Sequence, residues 1–171
     1  MKRSASTRGW SVLEIVAACT VTASVALVFF PAFFRELRAS KQAEAAEGVT
    51  RMAAGAIACA AGKPPSAAFP APAPLTPGAA PRGTREVDPP GIWDHPSWEA
   101  LGFRASEEGV PHAYAFQFSS ANAADHASFA ASAHGDLDGD GTTSSFELRG
   151  VVDDARGPRV EPSMKIEAEL E

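Results

Sequence analysis

The sequence predicts an α+β protein, a long N-terminal helix packed on a C-terminal antiparallel sheet of about four strands. Three observations predict it. Apolar and helix-forming residues fill the first third of the chain almost without interruption. A proline-rich stretch then stops them. Beyond it, short segments alternate apolar with polar residues, the period of half-buried strands.

Composition narrows the function classes. The 171 residues suit one ordinary domain. A formal net charge of -6 without a basic stripe argues against a phosphate-gripping protein, so no nucleic-acid partner is expected. With 45% hydrophobic residues, wholesale disorder is excluded. Two cysteines are too few for a multi-bridge framework or a four-thiolate zinc site.

Residues 1–9, MKRSASTRG, carry Lys2, Arg3 and Arg8 and no acid. Residues 10–34 are apolar, and Glu14 is their only charged residue. As a helix this stretch would be about 37 Å long, enough to cross a hydrocarbon core of about 30 Å. The basic residues before it would keep the N-terminus in the cytoplasm. A secretory signal would end in a small-x-small cleavage site, which ALVFFPAFFRE does not offer. A lone carboxylate in a membrane span costs about 2.5–3.5 kcal/mol, so Glu14 marks a function or snorkels to the interface.

Arg8-Gly9 followed by Trp10-Ser11-Val12-Leu13-Glu14 resembles the processing site of type IV prepilins and the related type II secretion pseudopilins. The resemblance covers about residues 1–60. It implies cleavage after Gly9 and N-methylation at Trp10, which stands where Phe is commoner. It implies that Glu14 attracts the new N-terminal amine of a neighbouring subunit, and that Pro31 loosens the helix. The implied fold is the pilin fold. The implied location is the inner membrane, single-pass, with a periplasmic head that later joins a pilus or pseudopilus. The implied partners are copies of this chain or other pilins, a prepilin peptidase and an inner-membrane assembly platform. The segments WEALGF, YAFQF and GDLDGDG also resemble the heads of some bacterial pilin-like proteins.

Residues 35–61 are read as an amphipathic continuation of the helix. Val49, Met52, Ala53, Ala56, Ile57 and Ala60 form an apolar stripe suited to a sheet. Glu36, Arg38, Lys41, Glu44 and Glu47 take the other surface, either solvated or in subunit contact. Cys19 and Cys59, on one helix, would lie about 60 Å apart, so no disulfide is expected between them. Residues 62–91 are a Pro/Ala-rich connector, expected to be extended and without a core of its own, read as a spacer that wraps the globular head in preference to a proline-rich docking site.

The head, residues 92–171, opens with WDHPSWEALGF, a short helix capped by Asp94 or His95, with Pro96 in its first turn and Gly102 at its exit. Trp93, Trp98, Leu101 and Phe103 are assigned to the core. Four strand segments follow. Their inward residues are His112, Tyr114, Phe116 and Phe118; then Phe129, Ala131 and Ala133; then Phe146 and Leu148; then Met164, Ile166, Ala168 and Leu170.

DLDGDGTTSSFE, residues 136–147, matches the calcium-loop pattern D-x-D-x-D-G-x5-E. Asp136, Asp138 and Asp140 would give carboxylate oxygens, Thr142 its carbonyl, Ser144 a water-bridged contact and Glu147 two oxygens. Glu147, however, alternates with core-facing Phe146 and Leu148, and strands flank the loop in place of helices. The other reading is a polar hairpin loop turned by Asp-Gly pairs. Calcium is thus the one cofactor the sequence suggests. No catalytic constellation stands out, and His95, His112, His126 and His134 lack metal-type spacing, so an enzyme is not expected. The function expected is a filament subunit polymerised through its N-terminal helix. The alternatives are a type II secretion pseudopilin and a singly anchored calcium-binding or adhesive module that never polymerises.

Overall fold

The computed structural model describes residues 10–153 and 156–167, without the side chains of 32 and 34–41. The chain is α+β, with a long N-terminal helix and an antiparallel sheet of five to six strands. It divides into two compact units, Met1–Leu37 and Arg38–Glu171. The helix α1, Val12–Ala60, contributes to both.

In the first unit, Val12–Pro31 is 20 residues long with a mean hydropathy of 2.2, and is long and apolar enough to cross a membrane. Leu13, Leu27, Val28, Phe29 and Phe30 are all exposed. The hydroxyls of this segment bond within the helix. Thr20, Thr22 and Ser24 donate to the carbonyls of Val16, Ala18 and Thr20 at 2.8–2.9 Å. Such back-bonding leaves no hydroxyl donor in need of water. Pro31 lies inside the helix and brings no N–H to its ladder.

In the second unit, the predicted stripe of α1 is the buried face. Ala45, Gly48, Val49, Met52, Ala53, Ala56 and Ala60 are buried, and Ile57 packs at the margin. The sheet runs β1 (Ala73–Thr76), β2 (Ala115–Asn122), β3 (His126–Gly135), β4 (Ser144–Asp153), β5 (Gly157–Val160), each paired antiparallel to the next. The strand β6 (Lys165–Glu167) pairs with the other end of β4.

Large residues face small ones across the inner face of this sheet. Ala133 of β3 lies between Phe116 and Phe146, Ala131 between Phe118 and Leu148, and Phe129 between Ser120 and Gly150. A Cβ at Gly150 would run into the Phe129 ring. The same logic holds beneath the helix, where a Cβ at Gly48 would meet the Phe116 ring.

The short helix α2, Pro96–Leu101, has the predicted ends. His95 is its N-cap, its Nδ1 accepting from the Ser97 N–H, and Gly102 closes it at φ 60°. Trp93, Trp98, Leu101 and Phe103 are buried beside Phe116 in a group of edge-on rings.

Two expectations need correction: the sheet has five to six strands where about four were expected, and the last strand does not face the core. Residues 62–91, expected to have no core of their own, pack on the core of the head: Phe69, Ala73, Thr76 and Pro81 are buried, and β1 forms a sheet edge. The prolines spare backbone donors, and other elements pair several of the remaining polar groups. Asn122 bonds both the N–H and the carbonyl of Phe69, Ser120 and Ser97 donate to the Pro70 and Ala71 carbonyls, and the Trp98 indole donates to Thr76 Oγ1. At the other end, Ile166 is 42% exposed, because β6 lies on the outer edge of β4 and not over the core. Ala168 and Leu170 lie outside the described residues.

Gly55 crosses α2 so closely that a Cβ would collide with the Leu101 carbonyl. Helix propensity favours Gly55→Ala by about 1 kcal/mol. Forcing a packed backbone apart costs about 1–3 kcal/mol, so the collision wins. Gly55→Ala is expected to lower the stability of the full chain in urea unfolding, and an unchanged or higher midpoint would contradict this packing.

Candidate functional site

Two places carry the sequence-predicted site residues. The first is the start of α1. Gly9 lies outside the described residues, and Trp10 is exposed. Ser11 precedes the helix and accepts on Oγ from the Glu14 N–H at 3.2 Å. Glu14 Oε2 accepts in return from the Ser11 N–H at 2.8 Å and from its hydroxyl at 2.9 Å. This is a capping box, S-x-x-E, readable at Ser11–Glu14 but overlooked in the sequence analysis. It anchors the carboxylate beside the positive end of the helix dipole. Glu14 thus has a structural task within its own chain.

The second place is the turn joining β3 to β4. Carboxylate oxygens of Asp136, Asp138 and Asp140 lie within 4.8 Å of one another. Asp136 is 3% exposed, and its two oxygens accept from the Gly139 and Gly141 N–H groups at 2.7 and 3.1 Å. Asp138 accepts from the Asp140 N–H at 3.2 Å, and Asp140 from the Thr142 N–H at 2.6 Å. That last bond holds the Asp140 carboxyl below the usual carboxylate range. Among the described residues no ion pair joins the three to a basic side chain. Gly139 and Gly141 have φ of 84° and 97°, which a side chain would strain. The preceding segment braces the loop, since the Gly83 N–H donates to the Asp136 carbonyl at 2.7 Å.

The remaining proposed ligands are elsewhere. Glu147 Oε1 accepts from Arg149 Nε at 2.7 Å on the outer face of β4. Ser144 is fully buried and donates to the Gly135 carbonyl at 3.0 Å. Thr142 meets the cluster through its N–H. Three close carboxylates suit a hard cation, which wants six to eight oxygens at 2.3–2.6 Å; with one oxygen from each, backbone carbonyls or water would have to supply the rest.

A further residue was missed. Glu44 was placed on the charged surface, yet Oε1 accepts from the Ala113 N–H and Oε2 from Arg85, both at 2.7 Å. It stands four residues before Gly48, in line with the buried stripe. Cys59 is half-buried, its thiol near the Ala100 carbonyl at 3.0 Å; Cys19 is exposed, and both are free thiols.

In comparisons with known proteins, the chain matches no family model, no curated protein and no solved structure.

His134 stands on the outer face of β3, between Ala115 and Ser145. Burial lowers its pKa below the ordinary histidine value, and the Glu147 charge opposes that shift. Its neutral ring therefore adds stability above the unfolded value, and this is lost as pH falls through the lower folded value. In an NMR titration His134 should have a midpoint below that of free histidine, and Glu147→Gln should move it lower. A rise on that substitution would contradict the arrangement.

Proposed function

We propose that this chain is a structural subunit of a type IV pilus-like filament. Val12–Pro31 holds it in the inner membrane with the head on the periplasmic side. It is trimmed after Gly9, N-methylated at Trp10, and polymerised through its N-terminal helix with copies of itself or other pilins. A prepilin peptidase and an assembly platform act on it, so the chemistry is performed on this chain and not by it.

The observation that carries this reading is a single carboxylate at the start of an exposed, 20-residue apolar helical span, four residues after the Trp10 of Arg8-Gly9-Trp10. Once helices pack together, Glu14 leaves water, and an ionised carboxylate there is costly without a cationic partner. Cleavage after Gly9 creates one, the amine of Trp10 on a neighbouring subunit. Ser11 then holds the carboxylate in place through the capping box.

Two observations favour other readings. The Asp136–Asp140 cluster suits a type II secretion pseudopilin whose head is steadied by calcium. The capping box suits a singly anchored module, because it gives Glu14 a use without any neighbour.

Substitution separates the roles of Glu14. Ser11→Ala breaks the reciprocal cap, at about 0.5–2 kcal/mol of helix stability, but leaves the charge. Glu14→Ala and Glu14→Gln remove the charge. The filament reading predicts that Ser11→Ala still assembles, whereas both Glu14 variants insert in the membrane and yield no filaments. Normal assembly of Glu14→Gln would reject it. Calorimetric titration of the full chain with calcium tests the loop: heat in the wild type that Asp138→Ala abolishes is expected if the loop holds the ion, and no heat in the wild type removes calcium from the account.

A further inference from the structure

The strand β6 gives the sheet an uncovered end. It pairs with β4 on one side, and among the described residues no strand lies on its other side. Its three residues, Lys165-Ile166-Glu167, are all exposed. Ile166 is the register partner of Phe146, at the margin of the sheet's apolar face. Lys165 and Glu167 share the opposite face, with Nζ and Oε1 2.6 Å apart.

The bonding of β4 shows where the backbone groups of β6 point. The register along β4 is unbroken from Ser144 to Asp153. The Arg149 carbonyl accepts from the Glu161 N–H, so the odd-numbered residues of β4 turn their backbone groups toward β5 and β6. Glu147 and Ser145 therefore bond their register partners, Lys165 and Glu167. Ile166, between those two, turns its N–H and C=O outward. One residue at the sheet edge thus offers a donor, an acceptor and an exposed apolar side chain.

We propose that this edge docks a second copy of the chain, strand against strand, across a two-fold axis at Ile166. Charge complementarity selects the arrangement. In an antiparallel pair centred on Ile166, Lys165 faces Glu167 of the second copy on both sides of the axis, and the two Ile166 residues exchange backbone hydrogen bonds. A parallel pair, or an antiparallel pair centred one residue away, sets Lys165 against Lys165 or Glu167 against Glu167. A short edge strand that carries a lysine ordinarily repels pairing. Here Glu167, two residues on, makes the same lysine a match for a reversed copy. The apolar face gains as well, because Ile166 at its margin meets Ile166 of the second copy. The axis reverses the direction of α1 between the two heads, so the contact joins copies outside the parallel packing of a single filament. It rests on the head alone and stands whether or not filaments form.

Charge reversal provides the test. Lys165→Glu and Glu167→Lys each set like charges opposite one another at both ends of the pair, and both side chains are exposed, so neither substitution touches the core. In sedimentation of the full chain in detergent, the wild type should self-associate, and each variant alone should do so at least about tenfold more weakly. An equimolar mixture of the two variants should regain most of the wild-type association, because each then meets opposite charges at both positions. Association through the N-terminal helices would be equal in all four samples. A wild type that stays monomeric, variants that associate as the wild type does, or a mixture no stronger than its components would overturn the docking edge.

Discussion

A predominantly apolar stretch of 20 residues does not stay exposed to water. Val12–Pro31 must be covered by lipid, by other helices, or by each in turn. That constraint decides how everything near it is read. It explains why Thr20, Thr22 and Ser24 turn their hydroxyls back onto the helix. It makes Glu14 significant, because the same carboxylate on a solvated helix would be an ordinary cap. In the proposed filament a capping box and an intermolecular charge pair would not compete. The cap fixes where the carboxylate sits, and the proposed pair would decide whether that place can become dry.

The head solves a different problem, covering nine buried aromatic side chains with a helix and a thin sheet. It does so by matching sizes. The α1 face is Ala, Gly, Val and Met, and the central strand β3 sets Ala131 and Ala133 between Phe or Leu neighbours. Small residues at the contact bring the helix axis close to the sheet. Close approach in turn lets Glu44 reach the Ala113 N–H and Arg85. The proline-rich segment completes the cover on one edge, where missing N–H groups do no harm.

Much of this architecture was legible because its signals are local. Period-two alternation gave the inward residues Phe116, Phe118, Phe129, Ala131, Ala133, Phe146 and Leu148, since one sheet face is buried and the other solvated. His95, Pro96 and Gly102 marked the ends of α2 through capping chemistry. What was illegible depends on partners far along the chain. Nothing local to Ala73–Thr76 shows that Asn122, Ser120 and Trp98 will satisfy that region. Glu44 reads as a surface charge until Arg85, 41 residues away, is placed beside it. The aspartate spacing correctly brought three carboxylates together, but strand alternation put Glu147 on the far side of that prediction. The capping box was local and legible, and the membrane context drew attention away from it.

The central claim is that the apolar helix of the mature protein begins at Trp10 and is buried against its own kind. Mass spectrometry of the N-terminal peptide, taken from material first sized in native membranes, tests both halves at once. The account predicts a chain that starts at N-methylated Trp10 and migrates in higher-order assemblies. A chain that keeps residues 1–9 and remains monomeric in lipid would contradict it.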